Sequence, residues 1–326
     1  MTDPVLAAIA IGRNEGTRLI ACLRSLAAQS QLSRIVYVDS GSTDSSVAAA
    51  REMGAEIVLL DTAQPFTAAR ARNAGIAALR EGTSPDLVQF VDGDCILDSA
   101  WISIAAAFLA NHPDVAVVCG RRREMHPEAS VYNRLCDAEW NTPAGEARAC
   151  GGDALMRWPA LEAVGGYDST LIAGEEPEMC LRMRRAGWKI WRLDAEMTLH
   201  DAAMTRFGQF WKRARRGGFA AGEGATMYGQ DEERHGVAAT RRALLWGLAL
   251  PVAILLAAFV LEPWALLGLL IYPAQVLRLA LRDGGTRGAW ERALFLTLGK
   301  FAEAQGVLEY HWRRRRGGPA QLIEYK

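Results

Sequence analysis

Net charge is the first thing the chain lacks. Lysine plus arginine and aspartate plus glutamate number 37 each in 326 residues, so there is no electrostatic footprint of a nucleic-acid partner. Cysteine is sparse. Its six copies (Cys22, Cys95, Cys119, Cys136, Cys150, Cys180) form no C-x-x-C pair and have no histidine at metal spacing, which excludes a disulfide framework and a zinc ribbon. They read as reduced cytoplasmic thiols filling a core. No G-x-G-x-x-G follows the first apolar strand and no Walker lysine motif occurs, so neither a dinucleotide dehydrogenase nor a P-loop enzyme is supported. The N-terminus has neither a basic nor an apolar leader region, and no signal peptide is expected.

What is present is alternation. Val5 to Ile11, Arg34 to Val38, Glu56 to Leu60 and Leu87 to Val91 are β-prone runs. Between them lie helical patterns at Thr17 to Ala28, Ser45 to Met53 and Ala68 to Leu79; Ser42 or Asp44 is placed to cap the second. Strand–helix alternation specifies an α/β fold with a mostly parallel sheet and helices on both faces. The length suits one catalytic domain, residues 1–235 (halves 1–120 and 121–235), followed by an appendage at 236–326.

The fourth run ends in Phe90-Val91-Asp92-Gly93-Asp94-Cys95. Residues two apart on a strand point to the same side, so Asp92 and Asp94 are expected to face one cation. Hard oxygen ligands suit Mg²⁺ or Mn²⁺, which complete their shells with water and phosphate oxygens. Asp39 ends the second run. Ligands of open α/β sheets bind at the carboxyl ends of strands, so these acidic ends, with Gly41 and Gly93 allowing close approach, form a candidate nucleotide pocket.

The ordered segments Ala10-Ile11-Gly12-Arg13-Asn14-Glu15, Val38-Asp39-Ser40-Gly41-Ser42-Thr43-Asp44, Ala71-Arg72-Asn73-Ala74-Gly75 and Val91-Asp92-Gly93-Asp94 resemble a family 2 glycosyltransferase of the GT-A fold. Gly151-Gly152-Asp153, Gly165-Gly166-Tyr167-Asp168 and Gly174-Glu175-Glu176-Pro177-Glu178 resemble that family's acceptor half. The likeness runs from Val5 to Phe219.

It implies donor contacts from Asn14, Glu15, Asp39, Arg72, Asp92 and Asp94. Asp39 would accept from the nucleobase, although Ser40 stands where the family usually has a second aspartate. Arg72 would pair with the diphosphate, a task for which Arg70 is the alternative. Asp92 would contact ribose or metal. Asp94, with His200, would ligate a divalent metal (Mn²⁺ or Mg²⁺) that neutralises the leaving nucleoside diphosphate. Glu176 matches the catalytic base, where aspartate is commoner. Glu175, Trp140, Gly151 and Gly152 would line the acceptor side. The donor class implied is a nucleotide sugar, most often a uridine diphosphate sugar. Gln209-Phe210-Trp211-Lys212-Arg213 lacks the Gln-x-x-Arg-Trp signature of processive relatives, which favours transfer of a single sugar.

The last third is apolar and basic by turns. Ala243 to Leu261 is a run of nineteen uncharged residues, and Trp264 to Leu277 a shorter one, with Pro251 and Pro273 interrupting them. Arg241-Arg242 and Arg278, Arg282 and Arg287 flank the pair. The positive-inside rule then gives a hairpin (243–281) with cytoplasmic ends, either spanning or re-entrant. Trp290, Leu294, Leu298, Phe301 and Leu308 share a helical face (289–310) ahead of Arg313 to Arg316, as in an interfacial helix with a basic tail. These features point to membrane lipid, to the inner (cytoplasmic) membrane with the catalytic domain in the cytoplasm, and to a lipid-linked saccharide acceptor in surface polysaccharide or glycolipid assembly. Two other readings stay open: a polyprenyl-phosphate sugar synthase, which would need cations beside Glu176, and an inactive scaffold. A sugar nucleotidyltransferase would need a glycine-rich loop after the first strand, and Arg13-Asn14-Glu15 does not supply one.

Overall fold

Unbroken apolar runs at Leu6–Gly12 (β1) and Leu87–Asp92 (β4) mark strands covered on both faces, as buried parallel strands are. A computed structural model describes residues 4–317. The first and last few residues of the two expected domains lie outside that range. Around these strands come α1 (Thr17–Ala27), β2 (Leu32–Asp39), α2 (Ser46–Glu52), β3 (Glu56–Leu59) and α3 (Ala68–Arg80). Then follow β5 (Cys95–Leu97), α4 (Trp101–Asn111), β6 (Val115–Glu124), α5 (Val131–Trp140), β7 (Gly145–Ala147), β8 (Ala154–Arg157), α6 (Trp158–Ala163), α7 (Glu175–Arg185) and β9 (Lys189–His200).

Among the described residues nine strands form one sheet in the order β3-β2-β1-β4-β8-β6-β9-β5, with β7 on β9. β1 pairs in parallel with β2 and β4, and β2 with β3. Beyond β4 the sheet is mixed: β8 is antiparallel to β4 and β6, β9 is parallel to β6, and β5 is antiparallel to β9. The parallel character is thus concentrated in the first 92 residues, where strands and helices alternate. The later strands arrive through loops and carry no such periodic signal.

Two compact units divide the chain: Met1–Pro127 with Cys136–Ala202, and Glu128–Leu135 with Ala203–Lys326. The boundary therefore falls near residue 202 rather than 235, and α5 is shared between the units. The sequence of α8 (Phe207–Tyr228) explains the difference. Gly218 lies so close to α12 (Arg287–Arg316) that an added Cβ would sit 2.0 Å from the Glu303 carbonyl oxygen. On α12 itself, Gly306 meets the Arg215 carbonyl at the same separation. Glycines at both faces let the two backbones touch, so α8 is bound into the second unit.

Within that unit, α9 (Val237–Leu244), a π-helical turn (Leu245–Ala249) and α10 (Leu250–Val260) run as one helix of 24 residues, strongly apolar after Arg241-Arg242. A 3₁₀ stretch (Pro263–Leu270) and α11 (Ile271–Arg282) form a second, less apolar helix of 20 residues. Both are long and apolar enough to cross a membrane, and only 6% of each apolar window is buried within the protein. The prolines do not break the helices: Pro251 falls just after the π turn and Pro273 just after the 3₁₀ stretch. Because 3₁₀ residues rise about 2.0 Å against 1.5 Å, the second helix reaches about 34 Å, enough for a core of about 30 Å. The shorter run counted from composition understated it.

α12 buries its small residues (Ala289, Ala293, Ala302, Val307) and leaves Trp290, Leu294 and Leu308 exposed. Arg134 on α5 and Arg287 both bond Glu291 at its start.

Candidate active site

The loops that follow β1 and β2 are tied to one another. Asn14, at φ 56°, donates its backbone N–H to Ser42 Oγ (2.9 Å), and its Oδ1 accepts from the Thr43 N–H (2.8 Å). Asp39 is buried, and its carboxylate is committed to its own turn. Oδ1 accepts from Tyr37 Oη at 2.9 Å, and Oδ2 accepts from the N–H groups of Gly41 and Ser42 at 2.9 and 2.8 Å. Of the two candidate caps for α2, Asp44 does the capping, accepting from the Ser46 N–H at 3.0 Å. Glu15 pairs with Arg18 at 2.7 Å, and its stem lies against Gly12 and Gly93.

Arg72 and Arg70 separate cleanly. Arg70 holds the preceding loop through the carbonyls of Asp61, Gln64 and Pro65. Arg72 is buried on α3 and bridges two carboxylates, Asp92 Oδ1 at 2.9 Å and Glu175 Oε1 at 2.8 Å. Glu175, expected on the acceptor side, thereby ties the start of α7 to the strand end that carries Asp92.

The two aspartates of the fourth strand part company. β4 ends at Asp92 and Gly93-Asp94 is a turn, so the two-residue alternation that would aim both at one cation stops there. Asp92 Oδ2 accepts from Arg122 (3.1 Å), and its N–H donates to Asp153 Oδ1 (3.0 Å). Burial pushes the Asp92 carboxyl up, but the guanidinium groups of Arg72 and Arg122 outweigh it and hold it below the usual range. Asp94 instead faces His200: Oδ2 lies 3.4 Å from Nε2. The Cys95–His200 register of β5 and β9 brings them together, and Glu124 Oε2 lies 3.9 Å from Nδ1.

The residues present fit a divalent metal. Ligand atoms of Asp94, Cys95 and His200 lie within 4.8 Å of one another, and all three residues are buried. The Asp94 carboxylate is a hard oxygen donor of the kind Mg²⁺ and Mn²⁺ take, and His200 Nε2 stands beside it.

Arg122 and Asp153 border the site, and sequence reasoning assigned neither. Arg122 donates through Nε and Nη2 to Asp153 Oδ2 at 2.9 and 2.6 Å, and the fully buried Asp153 also accepts from Thr198 Oγ1. The available signals were a cationic run at the end of an apolar strand (Arg121 to Arg123) and an aspartate after Gly151-Gly152. Gly152 fits nothing larger: a Cβ there would lie 2.7 Å from Asp92 Oδ2 and 2.9 Å from Arg72 Nη2. Gly151 turns at φ 82°. Trp140 stands edge-on to the His200 ring at 4.7 Å and lies under the Arg122 guanidinium at 5.4 Å, so it packs against both.

Glu176 opens α7 beside Glu175, with Gly174 at φ 77° before it. Its Oε1 accepts from the Cys150 N–H at 2.5 Å and from Cys180 Sγ at 3.1 Å. Burial raises its carboxyl above the ordinary glutamate value, and these two hydrogen bonds only partly offset that. A buried, anchored carboxylate with a raised pKa is a competent proton acceptor near neutral pH.

The mixed α/β sheet, with its parallel half at β1 to β4 and acidic residues at the strand ends, has the GT-A architecture. Residues 9–150 match the profile of glycosyl transferase family 2. Residues 9–150 thus carry the likeness to family 2 glycosyltransferases. It is 26% identical over 190 residues to the succinoglycan biosynthesis protein ExoA of Rhizobium meliloti (strain 1021), covering 55% of this chain and 57% of that protein. It is also 26% identical over 173 residues to the O-antigen chain rhamnosyltransferase WbaN of Salmonella anatum, covering 49% and 54%. The matched region thus spans little more than half of each relative. In structure the chain is similar to the mannosyltransferase PcManGT of Pyrobaculum calidifontis, solved with GDP-Man and Mn²⁺. There the TM-score is 0.64 and the identity 21%, covering 96% of this chain and 89% of that one. That likeness supports the fold.

Proposed function

We propose that this glycosyltransferase moves one sugar, with inversion, from a nucleotide-sugar donor to a lipid-linked saccharide at the cytoplasmic face of the inner membrane. The observation that carries the transfer chemistry is the arrangement Arg72–Asp92–Arg122 beside Asp94–His200. It supplies fixed cations for a diphosphate and a ligand pair for a metal. Asp94 and His200 would hold Mn²⁺ or Mg²⁺, which when bound offsets the charge developing on the departing diphosphate. Arg72 adds a forked donor on the same rim.

Glu176 acts as the base. With Oε1 anchored by Cys150 and Cys180, Oε2 is the oxygen that takes the acceptor hydroxyl's proton. The acceptor oxygen forms its bond to the anomeric carbon as the carbon–oxygen bond to the diphosphate breaks. Asp39 and Asn14 shape the loop that meets the nucleobase, and Glu15 lies at its edge. Gly151 and Gly152 let the acceptor segment approach Asp92, and Trp140 gives it an aromatic wall.

The two apolar helices and the exposed apolar face of α12 support membrane attachment, and a membrane-held enzyme suits a lipid-linked acceptor. Two relatives named for succinoglycan and O-antigen synthesis support a role in surface polysaccharide assembly. A phosphate acceptor is less well served. Of the cations following Glu176, Arg182 is bound to Glu178 and to the Val164 and Gly166 carbonyls, and Arg184 to the Arg148 carbonyl.

The test is calorimetric titration of a nucleotide-sugar panel into detergent-purified protein, with Mn²⁺ or Mg²⁺ and again with chelator. The expected result is binding of one donor, lost on chelation. Absence of binding to every donor, or binding indifferent to chelator, would overturn the proposal.

A further inference from the structure

The base is flanked by two thiols that make and break no bond in the transfer reaction. Cys150 Sγ and Cys180 Sγ are 3.7 Å apart, and Cys180 Sγ is 3.1 Å from Glu176 Oε1. Their ligand atoms and the glutamate's all fall within 4.8 Å of one another. Both cysteines are free; Cys180 is buried while Cys150 is partly open to solvent.

We propose that Cys150, Cys180 and Glu176 form a second metal site, specific for a thiophilic ion such as Zn²⁺, whose occupation captures the base and stops transfer. The geometry matches the chemistry. Two thiolates bound tetrahedrally to zinc at about 2.3 Å lie about 3.8 Å apart, and a thiolate and a carboxylate oxygen about 3.6 Å apart. The sulfurs already hold that spacing, and the Cys180–Glu176 contact needs to open by about half an ångström. The donor set differs in kind from Asp94 and His200. Two sulfurs select Zn²⁺ over Mg²⁺, whereas the Asp94 carboxylate offers the harder ion an oxygen. The partly exposed Cys150 gives the ion its entry.

Binding is balanced as Zn²⁺ plus two thiols and one carboxylate giving a bis-thiolate complex and two protons released to solvent. The fourth position is left to water. The loss of activity rests on Glu176 being the base; the binding itself does not.

The experiment uses the full chain, reduced, in detergent and excess Mg²⁺, with Co²⁺ as the spectroscopic probe. Wild type is expected to develop thiolate-to-cobalt charge-transfer absorption, which Cys150→Ser and Cys180→Ser each lose while keeping the wild-type melting transition. Cobalt binding should release two protons; Zn²⁺ should then displace the cobalt with no further release and inhibit transfer, with the inhibition constant rising about 10-fold or more in either variant. No band in wild type overturns the site. A band that survives in both variants also overturns it, because it then reports Cys95 beside Asp94. A band that both serines abolish, with Zn²⁺ failing to inhibit, upholds the site and overturns the inhibitory role. Under that outcome the donor titration, read separately, still tests the transferase reading.

Discussion

Replacing Arg122 with leucine removes the one guanidinium shared by Asp92 and Asp153. Asp153 is fully buried, and two of the four contacts to its carboxylate come from Arg122. Taking away one partner of a buried ion pair leaves an uncompensated charge at a cost of about 3–5 kcal/mol. In a unit of this size each kcal/mol lowers the melting temperature by about 2–4 °C, so the expected drop is about 6–20 °C. Differential scanning calorimetry on the detergent-purified protein would read it on the transition of the first unit. The partner test is Arg122→Leu with Asp153→Asn, which neutralises the stranded carboxylate. The double variant should melt above Arg122→Leu alone, and the shortfall from additivity measures the coupling. A single variant that melts within 2 °C of wild type, or a double variant no better than the single, would refute the claim that this pair is held by mutual compensation.

Three other outcomes follow from the same network. Asp94→Ala and His200→Ala should each abolish metal-dependent donor binding in the titration while leaving the fold intact; full binding in either would remove that residue from the metal site. Glu176→Gln should keep donor affinity within about threefold and lose transfer by a factor of 10² or more, and normal turnover would sink the base assignment. Gly152→Ala drives a methyl into Asp92 and Arg72 and should weaken donor affinity about tenfold or more. An unchanged dissociation constant would show that the acceptor segment does not press on the donor rim.

Much of the first half of the fold was legible because buried parallel strands and their cover helices carry strong periodic signals. β1, β2 and α3 fall within two residues of the positions read from pattern alone. The second half was opaque for a physical reason. β7, β8 and β5 are strands of three or four residues, too short to display a period. Asp94 and His200 were legible as a pair through the family resemblance. The divergence of Asp92 from Asp94 was not, because it depends on a turn beginning one residue after the strand ends. Arg122 and Asp153 escaped for a related reason: each makes sense only once β6, β8 and β9 lie side by side, a pairing set by long-range register.

The shared helix α5 has a consequence for how the protein is made. Residues 128–135 belong to the second unit, yet they are synthesised before the last third of the first. Arg134 must wait for Glu291, 157 residues later, and both apolar helices emerge in the interval. At translation speeds of about 5–20 residues per second, that wait is about 8–30 s. A ribosome-bound chain can complete the first unit in that time while eight residues of its middle stay unmatched. Truncation after Ala202 would make that state permanent, so an expression fragment cut there carries an orphaned half-helix, and a fragment ending near residue 317 does not.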